Sequence, residues 1–156
     1  MAVYQMHKEQ KIPASQEEVW NFISAPQNLT QITPDKLGFE ITTRYLKEKM
    51  HEGQIITYKV KPLLGIKMTW VTEITHVSEG LYFVDEQRNG PYKIWHHEHW
   101  IYPIRNGVLM EDIITYIPPM GFLGAVTNKL LIRKKLKSIF DYREATLIKI
   151  FGEYKD

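Results

Sequence analysis

The sequence contains no cysteine, which excludes disulfide bonds, thiolate metal ligands and cysteine nucleophiles. It also lacks an excess of charge, because the net charge is only +2 with the six histidines neutral, so we expect no nucleic-acid partner. No apolar run approaches the roughly 18 residues of a membrane-spanning helix, and residues 1–8 lack the apolar core of a signal peptide. From these absences we expect a cytoplasmic protein.

What the chain does contain is ordinary for one folded domain. It has 156 residues, of which 44% are hydrophobic and 24% are charged. A chain of this length buries enough surface for a sizeable core and is typical of a single domain. We therefore expect residues 1–156 to form one domain, and the sequence leaves its oligomeric state open.

The most informative stretch is residues 92–117, where two runs rich in aromatic and β-branched residues flank Asn106 and Gly107. An Asn-Gly pair in this setting predicts a β-hairpin with a two-residue type I′ turn. The cross-strand pairs that follow from this turn are Ile101 with Asp112, His99 with Ile114, and His97 with Tyr116.

One face of the predicted hairpin mixes aromatic side chains with titratable ones, because side chains alternate along a strand. That face consists of Trp95, His97, His99, Ile101, Met110, Asp112, Ile114 and Tyr116. A mixture of this kind is typical of a ligand pocket, so the hairpin predicts a binding site without naming its ligand.

Residues 122–151 have the period of an amphipathic helix, and at about 100° per residue their apolar side chains fall into one stripe. The stripe consists of Ile132, Leu136, Ile139, Phe140, Leu147, Ile150 and Phe151. Arg143 lies in its middle, and a buried arginine needs an anion. Asp85 or Asp112 could supply it, as could a carboxylate or phosphate on a ligand. We favour the internal pair.

The order of elements predicts an α+β protein of helix-grip type. In it a curved antiparallel sheet of about six to seven strands wraps around the long C-terminal helix, and two short helices follow the first strand. Ser15 and Glu18 form a capping box at the first of these helices. Besides the hairpin, strands are predicted at residues 3–12, 36–43, 54–61, 66–77 and 81–87. The long helix must bury its stripe against the concave side of the sheet, which leaves a cavity between them.

Several short motifs resemble a bacterial subgroup of the START-like, helix-grip superfamily of ligand-binding domains. These motifs are Phe83-x-Asp85-x-Gln87, Gly90-Pro91-Tyr92, Trp95-x-His97-x-His99, Asp112-x-x-x-Tyr116-x-x-Pro119 and Phe140-Asp-Tyr-Arg143. The superfamily includes lipid-transfer domains, the birch-pollen-allergen type and polyketide cyclases. The resemblance implies a hydrophobic ligand in the cavity, such as a lipid or a polyketide-like molecule, and it implies no particular reaction.

The candidate site combines an apolar wall with a few polar anchors. The predicted wall consists of Trp70, Phe83, Trp95, Ile114 and Phe140. The predicted anchors are His97, His99, Asp112, Tyr116 and Arg143, with Asp85 supporting them from behind. We expect a protein that binds its ligand without catalysing a reaction.

Two chemical alternatives use the same residues. His97 and His99, with Asp112 or Asp85, could ligate zinc, but histidines hydrogen-bonded within a half-buried face are more common, so we predict no metal and no cofactor. A histidine beside an aspartate could also act as a general base, in an enzyme of the cyclase or dehydratase kind. No nucleophile-elbow motif indicates a hydrolase.

The start of the last helix is basic. Its cations are Lys129, Arg133, Lys134, Lys135 and Lys137, and the apolar residues 118–124 precede them. This arrangement allows peripheral contact with an anionic membrane surface, as in a lipid-transfer domain. A solvated helix face beside the cavity rim is the simpler interpretation, and we favour it.

Overall fold

The computed structural model describes residues 2–62, 65–119 and 131–156, which form a curved antiparallel sheet of seven strands with helices. The strands are β1 (Tyr4–Ile12), β2 (Glu40–Ile41), β3 (Ile55–Val60), β4 (Met68–Ser78), β5 (Tyr82–Asn89), β6 (Ile94–Ile104) and β7 (Gly107–Ile117). Their order in the sheet is β1-β7-β6-β5-β4-β3-β2. The helices are α1 (Gln16–Ile23) and α2 (Arg133–Phe151). The predicted α+β class and element order are confirmed.

Helix α1 begins at the predicted capping box. The hydroxyl of Ser15 accepts a hydrogen bond from the backbone N–H of Glu18 at 3.2 Å, and the Glu18 carboxylate accepts one from the Ser15 N–H at 2.9 Å. The helix buries Val19, Trp20 and Ile23 in the core. A 3₁₀ turn, Pro26–Thr30, follows. Helix α1 contacts β6 and β7, and the 3₁₀ turn contacts β2.

The strand predicted at residues 36–43 is wrong over most of its length. Asp35–Leu37 form a 3₁₀ turn, and Gly38 then takes a left-handed φ of 55° that an extended strand does not allow. Only Glu40–Ile41 pair with β3. The alternation of Phe39 and Ile41 gave a strand signal, but the turn-forming Pro34 and Gly38 outweigh it.

The β6–β7 hairpin turns one residue earlier than predicted. Gly107 pairs with Ile104, so the loop residues are Arg105 and Asn106, and Asn106 has a left-handed φ of 63°. The observed pairs are Trp95 with Tyr116, His97 with Ile114, His99 with Asp112, and Ile101 with Met110. The predicted pairs are therefore wrong by two positions. An even shift leaves every side chain on its predicted face.

Gly107 serves the sheet rather than the turn. It lies opposite the end of β1, and a Cβ atom on it would overlap the carbonyl oxygen of Ile12. The close approach of β1 to β7 therefore requires glycine at this position. Sequence reasoning assigned it to the loop because Asn-Gly is the commonest pair there.

Helix α2 packs part of its predicted stripe against the sheet. Leu136, Phe140 and Leu147 are buried, as predicted, but Ile150 is 41% exposed. Near the C-terminal end Phe151, also a member of the predicted stripe, is half-buried, and its ring lies 5.5 Å from that of Phe22. The part of the predicted helix at residues 122–130 lies outside the described residues. Within the described ranges, no helix has the length and apolar run that crossing a membrane requires.

Candidate functional site

A cavity of about 140 Å³ lies between the sheet and α2. Its wall is mainly apolar, and the aromatic members are Phe39, Tyr58, Trp70, Phe83, Tyr92, Trp95 and Phe140. These rings support one another. The Trp70 ring stacks 5.9 Å from that of Tyr58 and meets that of Trp95 edge-on at 5.3 Å. Contacts of this kind stabilise the positions of the rings that line the cavity.

One end of the cavity is polar, because three strands bring four titratable side chains together. His97 and His99 stand two residues apart on β6, so both face the cavity. Asp85 on β5 pairs across the strands with His97, and Asp112 on β7 pairs with His99. Since β6 lies between β5 and β7, the two histidines have one aspartate on each side.

Each histidine ring directs one nitrogen to each aspartate. On one side, Oδ1 of Asp112 lies 2.8 Å from Nε2 of His97 and 3.0 Å from Nδ1 of His99. On the other, Oδ2 of Asp85 lies 2.7 Å from Nε2 of His99 and 3.5 Å from Nδ1 of His97. The two ring centroids are 3.7 Å apart. We call Asp85, His97, His99, Asp112 and Arg143 the polar cluster.

Arg143 joins the polar cluster from α2. Its Nη1 lies 3.7 Å from Oδ1 of Asp112, and its guanidinium lies over the Phe140 ring, 4.7 Å from the centroid. The side chain is 12% exposed. Asp112 is thus the internal anion expected for this arginine. The Nε of Arg143 is buried and has no hydrogen-bond partner among the described residues.

The contacts within the polar cluster change its protonation. Burial raises the pKa of Asp112. The hydrogen bonds from His97 and His99, together with their charges, outweigh this effect and lower the pKa to well below its usual range. Burial likewise raises the pKa of Asp85, yet the hydrogen bond from His99, with the His97 and Arg143 charges, leaves it lowered. Both aspartates are therefore carboxylates at neutral pH.

The two histidines differ from each other. Burial, then the charge of His99, lowers the pKa of His97 despite its hydrogen bond to Asp112. Burial also lowers the pKa of His99, but its hydrogen bonds to Asp112 and Asp85 outweigh that effect and raise it. His99 is therefore the first to take a proton. A proton there balances the charges of the two carboxylates and Arg143.

Most of the predicted site residues line the cavity. They are Trp70, Phe83, Asp85, Trp95, His97, His99, Phe140 and Arg143. Three others do not: Asp112 lies behind the histidines, Ile114 is fully buried in the core, and Tyr116 faces a separate groove between β1 and α2. Asp85 and Asp112 thus exchange their predicted positions, with Asp85 in front.

Sequence reasoning missed two tyrosines in the cavity wall. The Tyr58 hydroxyl lies 3.0 Å from that of Thr72, and burial raises the pKa of Tyr58. Tyr58 alternates with Ile56 and Val60 along the strand predicted at residues 54–61, which puts the three on one face, so the sequence did contain a signal for it. Tyr92 precedes β6, where strand alternation gives no information. The Gln87 amide fixes it by donating to the Tyr92 carbonyl at 2.6 Å.

The basic residues of α2 divide between two settings. Arg133 and Lys134 are exposed, and Lys137 contacts Asp141 at 2.5 Å. Lys135 instead lies at the cavity rim and donates to the Lys61 carbonyl at 3.2 Å. Lys129 and residues 120–124 lie outside the described residues. Membrane contact through this region stays a prediction.

Comparisons with known proteins support the fold. No family model and no curated protein match the chain. Among solved structures, protein CV1439 from Chromobacterium violaceum has a TM-score of 0.71 at 11% identity, over 96% of this chain and 99% of that one. The protein TTHA0849 from Thermus thermophilus has a TM-score of 0.65 at 18% identity, over 94% and 99%.

A third similarity is to part of a longer protein, the nucleoside-diphosphate sugar epimerase from Corynebacterium glutamicum. Its TM-score is 0.63 at 20% identity, and the match covers 92% of this chain but 28% of that one. At such identities the similarity concerns the fold and not the activity. The chain therefore shares its sheet-and-helix fold with structures from several bacteria.

Proposed function

We propose that this chain is a START-like ligand-binding domain whose cavity takes a small, mainly apolar molecule that carries a hydrogen-bond acceptor. The apolar lining favours a ligand that is mainly apolar, since burial of apolar surface contributes about 25 cal/mol per Å² to the free energy of binding. The polar cluster at one end of the cavity favours a ligand with a hydrogen-bond acceptor, since a few convergent polar groups set a ligand's orientation.

Two buried donors carry the proposal. Nε1 of Trp70 and Nε of Arg143 have no hydrogen-bond partner among the described residues, and both residues line the cavity. An unsatisfied buried donor costs about 1–3 kcal/mol. A carbonyl or carboxylate oxygen on a bound molecule would satisfy one of them, and the aromatic wall would enclose the rest.

The cavity volume sets the size of a first probe. A cavity of about 140 Å³ is close to the roughly 150 Å³ of an engineered apolar cavity that binds benzene. Acetophenone is a single ring with one carbonyl acceptor. α-Methylstyrene has nearly the same shape with a methylene group in place of the oxygen. The pair therefore separates apolar burial from acceptor recognition.

Calorimetric titration with both compounds tests the proposal. We expect both to bind, and acetophenone to bind about tenfold tighter because it satisfies a buried donor. Ile139→Phe, which fills the cavity from α2, should weaken both by more than about tenfold. Ile150→Phe, on an exposed position of the same helix, is the control and should bind as the wild type does. Absence of binding, or equal weakening by both variants, would contradict the proposal.

The alternative of a cyclase or dehydratase also stays a proposal. The position of His99 beside Asp85 at the cavity end supports it, because a histidine paired with a carboxylate is suited to acid–base work. It predicts that His99→Gln still binds acetophenone while it removes any turnover found with a polyketide-like substrate. Unchanged turnover in that variant would reject this alternative.

A further inference from the structure

We infer that Asp85, His97 and His99 form a binding site for a divalent transition-metal ion of the zinc or cobalt kind. One ligand atom of each residue lies within 4.8 Å of the other two. All three residues also line the cavity. This inference goes beyond the binding of an apolar molecule and does not depend on it.

Asp112 supplies the main argument, because it fixes which histidine nitrogens are free. Its Oδ1 lies 2.8 Å from Nε2 of His97 and 3.0 Å from Nδ1 of His99. A carboxylate only accepts hydrogen bonds, so these two nitrogens carry the protons. When both rings are neutral, their lone pairs are then on Nδ1 of His97 and Nε2 of His99. Metal-binding histidines typically donate their other N–H to a carboxylate in this way. The extra proton of a charged His99 would be on Nε2, toward Asp85.

The two free nitrogens face the second carboxylate. Oδ2 of Asp85 lies 3.5 Å from Nδ1 of His97 and 2.7 Å from Nε2 of His99. Two lone pairs and a carboxylate repel one another unless a cation lies between them. A proton satisfies one of these contacts, that of His99, and leaves the 3.5 Å separation of Asp85 and His97 longer than a good hydrogen bond.

A metal ion fits the longer of these two separations better than a proton does. Ligand atoms about 2.0–2.1 Å from a tetrahedral ion lie about 3.3 Å from one another. The Asp85–His97 separation of 3.5 Å already matches this value. The Asp85–His99 separation of 2.7 Å would have to open by about 0.6 Å, which is a small rotation of a carboxylate.

Charge and ligand chemistry narrow the ion to a class. With neutral histidines, Asp85, Asp112 and Arg143 together carry one negative charge, which suits a divalent cation. Nitrogen ligands favour zinc, cobalt or nickel over magnesium and calcium, which prefer oxygen. Three protein ligands leave one position of a tetrahedral site open. Because all three ligands line the cavity, that position would face a bound molecule.

A second group offers a control within the same protein. His7, Glu9 and Glu111 also lie close enough to share an ion. They are on the outer face, where the side chains of His7 and Glu9 are 50% and 55% exposed. Exposed groups compete with water and lose side-chain entropy on binding, so we expect this group to bind an ion weakly at most.

The experiment is a titration of untagged, chelator-treated protein with Co²⁺, monitored by visible absorption, which reports low-symmetry nitrogen and oxygen coordination. We expect one tightly bound equivalent that Zn²⁺ displaces and Mg²⁺ does not. His99→Gln and Asp85→Asn should each lose the absorption. Asp112→Asn should keep it with about 10–100-fold weaker binding, because Asp112 positions the ligands without touching the ion. His7→Gln should bind as the wild type does.

A measurement on the wild-type protein locates the bound ion even if one of the variants fails to fold. Bound Co²⁺ is paramagnetic and should broaden the NMR signals of Trp95 and Phe140 before those of Tyr102 on the outer face. Absence of cobalt absorption, binding that His7→Gln removes, or broadening confined to the outer face would overturn the inference and leave a proton between Asp85 and His99 in place of a metal ion.

Discussion

Asp112 is the residue on which the polar cluster depends most. Its side chain is only 3% exposed and contacts both histidines and Arg143. Removing one partner of a buried charge network leaves the others without compensation. Removing a carboxylate from the exposed side of the sheet would lose only a solvated ion pair.

Asp112→Asn should therefore lower the free energy of unfolding by about 3 kcal/mol. The neighbouring substitution Glu111→Gln, which affects an outer-face contact with His7, should cost at most about 1 kcal/mol. Urea unfolding at neutral pH in the presence of a chelator compares the two. Equal losses would mean that Asp112 contributes no more than a surface carboxylate.

The lowered pKa values of Asp85 and Asp112 predict acid sensitivity. In the folded state both groups take up protons only below their ordinary pKa, and Asp112 does so well below it, whereas in the unfolded state they do so near pH 3.9. Their contribution to stability is present above that pH and is lost as the pH falls through the folded values. His97, His99 and Arg143 face them and hold these values down.

In chelator-treated protein, the free energy of unfolding should accordingly fall as the pH drops from about 5 to 3. The slope should be shallower in Asp112→Asn, which has one such carboxylate fewer. Urea titrations across this range give both slopes. A variant with the same slope as the wild type would show that Asp112 does not titrate as the contacts predict.

The β6–β7 hairpin shows at the level of elements what a sequence can and cannot predict. Strand alternation alone predicted that His97, His99 and Asp112 share a face, and they do. The exact partners were wrong, because the turn position depends on the approach of β1 to Gly107. That contact joins residues far apart in the chain, and no local pattern encodes it.

Gly107→Ala tests this account of the hairpin. The added Cβ would overlap the carbonyl oxygen of Ile12, so β1 must move away from β7, at a cost of more than about 2 kcal/mol. Asn106→Gly, at the left-handed loop position, should change stability by less than about 1 kcal/mol. Thermal unfolding of both variants measures the difference. Equal stability of Gly107→Ala and the wild type would mean that the approach of β1 does not require glycine at this position.

For the whole molecule, the sequence predicted the layers of the fold but not the space between them. The order of elements and the stripe on α2 determined that a helix lies against a curved sheet. The cavity depends on how rings such as those of Tyr92 and Trp70 pack from separate elements. The exchange of Asp85 and Asp112 has the same origin. Which aspartate lines the cavity and which lies behind the histidines depends on the elements that pack around the two strands.

The most direct test of ligand binding in the cavity follows the indole N–H signals of isotope-labelled protein by NMR during titration with acetophenone. We expect the Trp70 signal to move, because its buried donor gains an acceptor. The Trp100 signal should stay in place, since its N–H already donates to Glu98 at 2.9 Å outside the cavity. A stationary Trp70 signal at saturating probe, or equal movement of both signals, would contradict ligand binding in this cavity.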